Sequence, residues 1–304
     1  MAANRIAFPV GRLRDRDWPP FPGPVHSTHS SGEGNIMKNL NLVLLTSVIA
    51  LTLTTNVFAN KLEYEEAPVT NGASITGSVL FKGTVPPPIM EDLNKGKNAE
   101  FCATHPDTKD GNIRPRQKVQ VKGGKLKNAV VLIENVSKGK AWATETVNFD
   151  FTQCDIFPKV TVIRKTPKSI KENLVMVTNN DDNTLHNPHG YSVAGANRKT
   201  LFNKPLPSKG DVADVTKSLK RFKPKKDKHF FLQCDQHNFM EADARIVWNP
   251  YYSVSNEDGT FILENVPAGK YKVTAWHPYV GQVTQEVTVK AGEKANTDFE
   301  LTIK

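Results

Sequence analysis

His229-Phe230-Phe231-Leu232-Gln233-Cys234-Asp235-Gln236-His237-Asn238-Phe239-Met240 reads as an apolar strand that runs into a loop of metal-binding side chains. A thiolate, an imidazole and a thioether fall within Cys234–Met240. Soft sulfur with imidazole selects copper, and the loop lacks the oxygen shell that suits Ca²⁺ or Mg²⁺. A trigonal copper site takes one Cys and two His in a plane, with a weak axial Met. Cys234, His237 and Met240 supply three of these, so the other His must come from a distant strand end. His186 fits. It follows the run Asn173–Thr178 through the turn Asn179–Thr184, in Leu185-His186-Asn187-Pro188-His189. His189 competes for the same place. The plain alternative is a buried free Cys beside an incidental His and Met. A two-copper oxidase centre needs a second loop cysteine and is excluded. Zinc is disfavoured because Met is a poor zinc ligand.

Outward from this loop the chain reads as all-β. Short runs rich in Val, Ile, Thr and Phe alternate with Gly, Pro, Asn and Asp, and no long stretch keeps a helical period. Upstream runs are Ser74–Phe81, Lys118–Lys122, Ala129–Glu134, Lys159–Arg164 and Glu172–Thr178, with Ala244–Trp248 just past the loop. Tyr251–Ser255, Thr260–Leu263, Lys270–Trp276, Thr284–Lys290 and Asn296–Ile303 follow, with turns at Asp258-Gly259 and Pro267-Ala268-Gly269. Regular short strands predict β-sandwiches. Boundaries are expected near Asn249-Pro250 and in the polar stretch Ser137–Thr146.

Together, Cys234, His237, Phe239 and Met240, with His186, Asn187 and His189 upstream, resemble the amicyanin- and plastocyanin-like cupredoxins, the type 1 blue copper proteins. The resemblance covers residues 148–248 and implies a Greek-key sandwich holding one copper on His186, Cys234, His237 and Met240. It also implies that Asn187 ties the two ligand loops together and that the edge of His237 reaches the surface as the electron port. Where the family loop has Pro, this chain has Asn238.

Residues 249–304 are similar to carboxypeptidase regulatory-like domains, which are transthyretin-like sandwiches, through Asp258-Gly259-Thr260-Phe261, Val266–Tyr271 and Trp276-His277. The first strands of that fold are missing after Asn249. Their motifs occur upstream, as Gly77-Ser78-Val79 and Leu126–Val131. A domain split around the cupredoxin is therefore expected, with its first strands in 72–136 and its last in 249–304. Two domains in series are the alternative.

The chain of 304 residues opens with a stretch that does not fit this scheme. Met37 and Lys38 followed by the apolar run Leu42–Leu53 and Val57-Phe58-Ala59 read as a secretory signal over 37–59. Residues 1–36 read as an upstream extension from a misplaced start. Export to a bacterial periplasm would follow, without stable membrane insertion after cleavage, and disulfides would be permitted. If Cys234 holds copper, Cys102 and Cys154 remain as a candidate disulfide. A Cys102/His105 metal pair, or two buried thiols, stay open.

Hydrophobic residues at 38% exclude a polytopic membrane protein, while 15 Phe, 4 Trp and 6 Tyr allow a packed core. The net charge is +9, and Lys217–Lys228, with seven Lys/Arg and one Asp, holds +6. There Lys217, Lys220, Arg221, Lys223, Lys225, Lys226 and Lys228 form either a solvated loop or a docking patch for an acidic redox partner, such as a cytochrome or a dehydrogenase. Nucleic acid is a poor partner for an exported chain, and the run offers no stacking platform. No catalytic acid–base pair is recognisable, so the expectation is a one-electron carrier and not an enzyme. The cupredoxin resemblance adds methylamine oxidation as a setting. Copper delivery, or a structural or glycan-binding sandwich, are the other readings.

Overall fold

The computed structural model describes residues 64–143, 146–165, 174–222 and 228–303. The proposed extension and signal sequence, and Lys223, Lys225 and Lys226, lie outside the described residues. In chain order, β1 (Ala73–Lys82) is followed by β2 (Ile89–Asp92), the single-turn α1 (Ala99–Cys102), β3 (Ile113–Arg116) and β4 (Val130–Ile133). Next come β5 (Val147–Thr152), β6 (Asp155–Phe157), β7 (Val160–Arg164), β8 (Val175–Asn179), β9 (Pro188–Ala194), β10 (Asn197–Asn203), β11 (Val212–Asp214), β12 (His229–Cys234) and β13 (Glu241–Val247). The chain closes with β14 (Tyr252–Val254), β15 (Thr260–Val266), β16 (Gly269–His277), β17 (Gly281–Val289), β18 (Lys294–Asn296) and β19 (Phe299–Thr302). The protein is all-β, built from two sandwiches.

The middle strands form the first sandwich, with sheets in the orders β6-β5-β8-β11 and β7-β13-β12-β9-β10. The pairs β5/β8 and β7/β13 are parallel and the others antiparallel. Such pairing requires the chain to cross repeatedly between the sheets, as Greek-key sandwiches do. In β5, Phe149 and Phe151 point inward while Asn148 and Asp150 bond to each other on the outer face. Strict alternation of this kind fixes the register, because a slip of one residue would turn Phe149 and Phe151 outward. Both rings are fully buried with Phe230, Leu232 and Ala244 in one core.

The second sandwich takes strands from both sides of the first. One sheet runs β14-β4-β16-β17; in the other, β1 pairs with β15 and lies parallel to β18 and β19. Residues 89–116, which the sequence suggested would belong to this sandwich, leave it instead. They form the β2/β3 hairpin and α1, and Leu93 and Cys102 join the core of the first sandwich. Apolar packing of Val130, Leu132, Val160, Val162, Val247 and Trp276 joins the two sandwiches.

Candidate metal centre

Two loops at one end of the first sandwich build the site. β8 ends at Asn179, and its loop brings back His186, which bridges to Leu206 in an extended conformation. β12 ends at Cys234, and the tight loop to β13 is closed by Met240 N–H on the His237 carbonyl at 2.9 Å. The Nδ1 atoms of His186 and His237 each lie 3.6 Å from Cys234 Sγ. His186, Cys234, His237 and Met240 are all fully buried.

The far sides of both rings are committed. His237 Nε2 lies 2.7 Å from the Lys97 carbonyl. A carbonyl only accepts, so Nε2 carries the proton and Nδ1 keeps its lone pair toward the thiol. His186 Nε2 lies 2.9 Å from Asp181 Oδ2, which imposes the same tautomer. Burial holds the His237 pKa down at about 4, so its ring is neutral at physiological pH. Burial pushes the Cys234 thiol up, while N–H groups of Asn187, Gln236 and His237 favour its thiolate.

This donor set fits a metal. With metal–N near ~2.0 Å and metal–S near ~2.3 Å, a trigonal angle separates N and S by ~3.7 Å and a tetrahedral one by ~3.5 Å. The observed 3.6 Å lies between them. Two imidazoles and one thiol, with the buried Met240 at the end of the same loop, match the soft nitrogen and sulfur ligands that suit copper.

Asn187 does join the two loops. Its N–H approaches Cys234 Sγ at 3.4 Å, and its carbonyl accepts from Asp235 N–H at 3.0 Å. His189 faces away from the thiol. It pairs with Asp235 at 3.1 Å and stacks on Tyr191. Asn238, in place of the family's Pro, accepts from Gln233 Nε2 through its carbonyl at 2.7 Å.

Two expectations are corrected. His237 has no surface edge: residues 89–116 cap it, with the Lys97 carbonyl on its ring. Gly96 is required there, because a Cβ would sit 2.6 Å from His237 Cδ2 and 3.3 Å from Phe239 Cε1. Lys228, the described residue at which the basic run enters β12, is not beside the site either. Lys228 precedes β12, whereas Cys234 ends it, about 20 Å away at the usual rise per residue. Lys228 pairs with Glu134, and the Lys220 carbonyl accepts from Lys165. Lys217 and Arg221 border the same short 3₁₀ turn at Ser218–Arg221.

The cap is fastened in two ways. A disulfide joins Cys102 to Cys154. Beside it, Glu91 accepts from Arg114 at 2.8 Å and Arg116 at 2.9 Å, and Arg116 grips Asp155 with two bonds of 2.9 and 2.8 Å. Against its desolvation, Lys159, Arg116 and Arg114 hold the buried Asp155 carboxyl below its usual range. Arg114 also lies over the Phe239 ring at 5.3 Å. His105 Nδ1 accepts from Asp107 N–H at 3.1 Å, and its Nε2 faces Asp155.

Cys154 sits with Gln153 in a two-residue turn, both at φ 52°. Left-handed conformations at non-glycine residues cost about 1–3 kcal/mol each. Both N–H groups point to the Asp181 carboxylate, which offsets that cost. Asp181 thus serves the turn and His186 together. Asp181, Gly96 and Lys97 were not found from sequence, since none carries a motif. The only hint was that a Cys102–Cys154 link would draw residues near 97 toward β6.

Residues 243–302 match the carboxypeptidase regulatory-like domain. The match begins within β13 and continues through β14 to β19, while β1 and β4 complete that sandwich from upstream. No curated relative matches the chain. A solved structure, the Cu-containing nitrite reductase (NirK) from Thermus scotoductus SA-01, is similar at 17% identity with a TM-score of 0.24. The similarity covers 36% of this chain and 24% of that one, so the chain spans about a quarter of that protein.

Proposed function

We propose that this chain is a mononuclear copper protein of cupredoxin type that carries single electrons, and that His186, Cys234, His237 and Met240 would hold the copper. The observation that carries the reading is the convergence of two Nδ1 atoms on one buried thiol, with both Nε2 atoms tied to acceptors behind them. Copper, when bound, supplies a one-electron couple. The protein's part is rigidity: ligands from two strand ends, oriented by Asp181, Asn187 and the Lys97 carbonyl, need little rearrangement between oxidation states. Closure by Gly96, Lys97 and Phe239 keeps water out. A sealed site exchanges metal slowly, which favours electron carriage over copper delivery.

With His237 covered, the shortest way out for the electron is its hydrogen bond to Lys97. Lys97 and Leu185, which neighbours His186, line an open polar cleft with Asn98, Asn183, Ser208 and Lys209. A redox partner is expected to dock there, and the positive charge of the basic run would steer an acidic partner electrostatically. The disulfide suits an oxidising compartment outside the cytoplasm. No helix among the described residues is long and apolar enough to cross a membrane. Methylamine oxidation is the setting the ligand-loop pattern suggests.

Titrating the purified protein with Cu(II) tests the reading. One equivalent should give an intense thiolate-to-copper colour that bleaches on reduction and is abolished by Cys234→Ser. A protein that stays colourless with Cu(II) bound overturns it.

A further inference from the structure

The cap is a hairpin with a long tip. Its stem, β2 and β3, is held to the first sandwich by the bonds that join Glu91, Arg114, Arg116 and Asp155. Its tip, residues 93–112, covers the metal centre. Gly96 packs against His237 and Phe239, and the Lys97 carbonyl accepts from His237 Nε2 at 2.7 Å. Cys102 follows at the end of α1, with its Sγ 3.9 Å from that same carbonyl. The disulfide to Cys154 therefore ties the tip to the turn between β5 and β6, close to the residue that covers His237.

We propose that copper enters before this disulfide forms, and that oxidation of Cys102 and Cys154 then locks the tip over the loaded centre. The proposal rests on His237 being a ligand of that centre. With the tip closed, His186, Cys234, His237 and Met240 are all buried, so a metal ion meets no open ligand. The other ties described for the tip are noncovalent. Asn98 Nδ2 donates to the Asn183 carbonyl at 2.9 Å and to Thr184 Oγ1 at 3.2 Å, the Lys97 carbonyl meets His237, and Leu93 packs into the first core. Contacts of this kind break and reform in local opening, which is how buried groups reach solvent. A covalent link between residues 52 apart in sequence removes that freedom. Cys154 is placed without the link: its N–H donates to Asp181 at 2.8 Å, and its carbonyl accepts from Arg114 at 3.2 Å. The sandwich side of the lock is thus preformed, and the tip is the moving part.

The step balances. Two thiols give up two protons and two electrons as the S–S bond forms. A carrier disulfide accepts both, its own S–S bond opens into two thiols, and copper keeps its oxidation state. Cys102 and Cys154 meet such a carrier while the tip is lifted. Once it closes both are buried, so the lock also resists reduction. The reaction that follows copper insertion is therefore dithiol oxidation by thiol–disulfide exchange.

The test compares disulfide-bonded protein with Cys102→Ser combined with Cys154→Ser, which has neither lock nor cap thiols. Cu(I) is supplied without oxygen, and its uptake and release are timed with a chromophoric Cu(I) chelator. The disulfide-bonded protein should gain and lose one equivalent at least about tenfold more slowly than the double variant. Equal rates overturn the proposal. Circular dichroism reports the fold of the double variant. Should it misfold, amide hydrogen exchange of the metal-free wild-type protein decides. Phosphine reduction should speed exchange at Lys97–Cys102 at least about tenfold and leave β12 unchanged; equal protection before and after reduction overturns the proposal. Cys234→Ser should take up no Cu(I). Uptake by that variant overturns the centre and the order built on it, whereas equal rates overturn the order alone.

Discussion

Replacing Asp181 with Asn should weaken both the fold and the metal site, because one buried carboxylate serves both. Oδ1 accepts from Gln153 N–H, and Oδ2 accepts from Cys154 N–H at 2.8 Å and His186 Nε2–H at 2.9 Å. Bonds to a charged acceptor contribute about 1.5–3 kcal/mol each, against about 1 for neutral ones. In Asp181→Asn, the amide oxygen can replace Oδ2 and keep two bonds, now neutral. The amide NH₂ then faces the Gln153 N–H, donor against donor. Losing one charged bond and weakening two others comes to about 3–5 kcal/mol, with no solvent to screen a group only 2% exposed. His186 is then held by a neutral acceptor instead of a carboxylate, and changing such a partner behind a ligand typically costs about 10–100-fold in metal affinity. Denaturant unfolding of metal-free protein measures the first effect, and chelator competition the second. If Asp181→Asn unfolds at the wild-type midpoint and holds copper within about twofold of wild type, the shared role is refuted.

Other consequences can be checked alongside. Gly96→Ala places a methyl against His237 and Phe239, so the cap should lift and copper should pass to an external chelator faster; an unchanged transfer rate would contradict the close contact. Glu91→Gln breaks a buried pairing with Arg114 and Arg116 and should cost about 3–5 kcal/mol in denaturant unfolding, the usual penalty for leaving buried charge unpartnered; a loss under 1 kcal/mol would show that the network does not hold the cap. Burial lowers the His277 pKa to about 4 from an unfolded value of 6.5. Between these values the unfolded chain binds the extra proton, so this contribution is complete above pH 6.5 and fades as pH falls through 4. It amounts to about 3 kcal/mol. His277→Gln should flatten that part of the stability profile, and an unchanged slope would contradict it.

Much of the scaffold was legible because strands announce themselves by composition. Val, Ile and Phe runs between Gly, Pro and Asn marked β12, β13 and most of the closing strands, and ligand types at strand ends marked His186, Cys234, His237 and Met240. The pair β9/β10 was missed: Asn197–Asn203 is mostly polar and exposed, with only Leu201 and Phe202 buried, so it lacks an alternating signal. The covering of His237 was illegible for a different reason. It depends on a carbonyl and an absent side chain, at Lys97 and Gly96, and backbone groups leave no trace in residue type. Lys228 was legible as charge but not as position, because strand direction decides which end of β12 it occupies.

X-ray absorption at the copper edge of the loaded protein tests the central claim most directly. It should find two imidazole nitrogens near ~2.0 Å and one sulfur near ~2.3 Å, little changed between Cu(II) and Cu(I). Cys234→Ser should remove the short sulfur. A shell of oxygen and nitrogen only, or a coordination number that changes on reduction, would contradict a centre built on His186, Cys234 and His237.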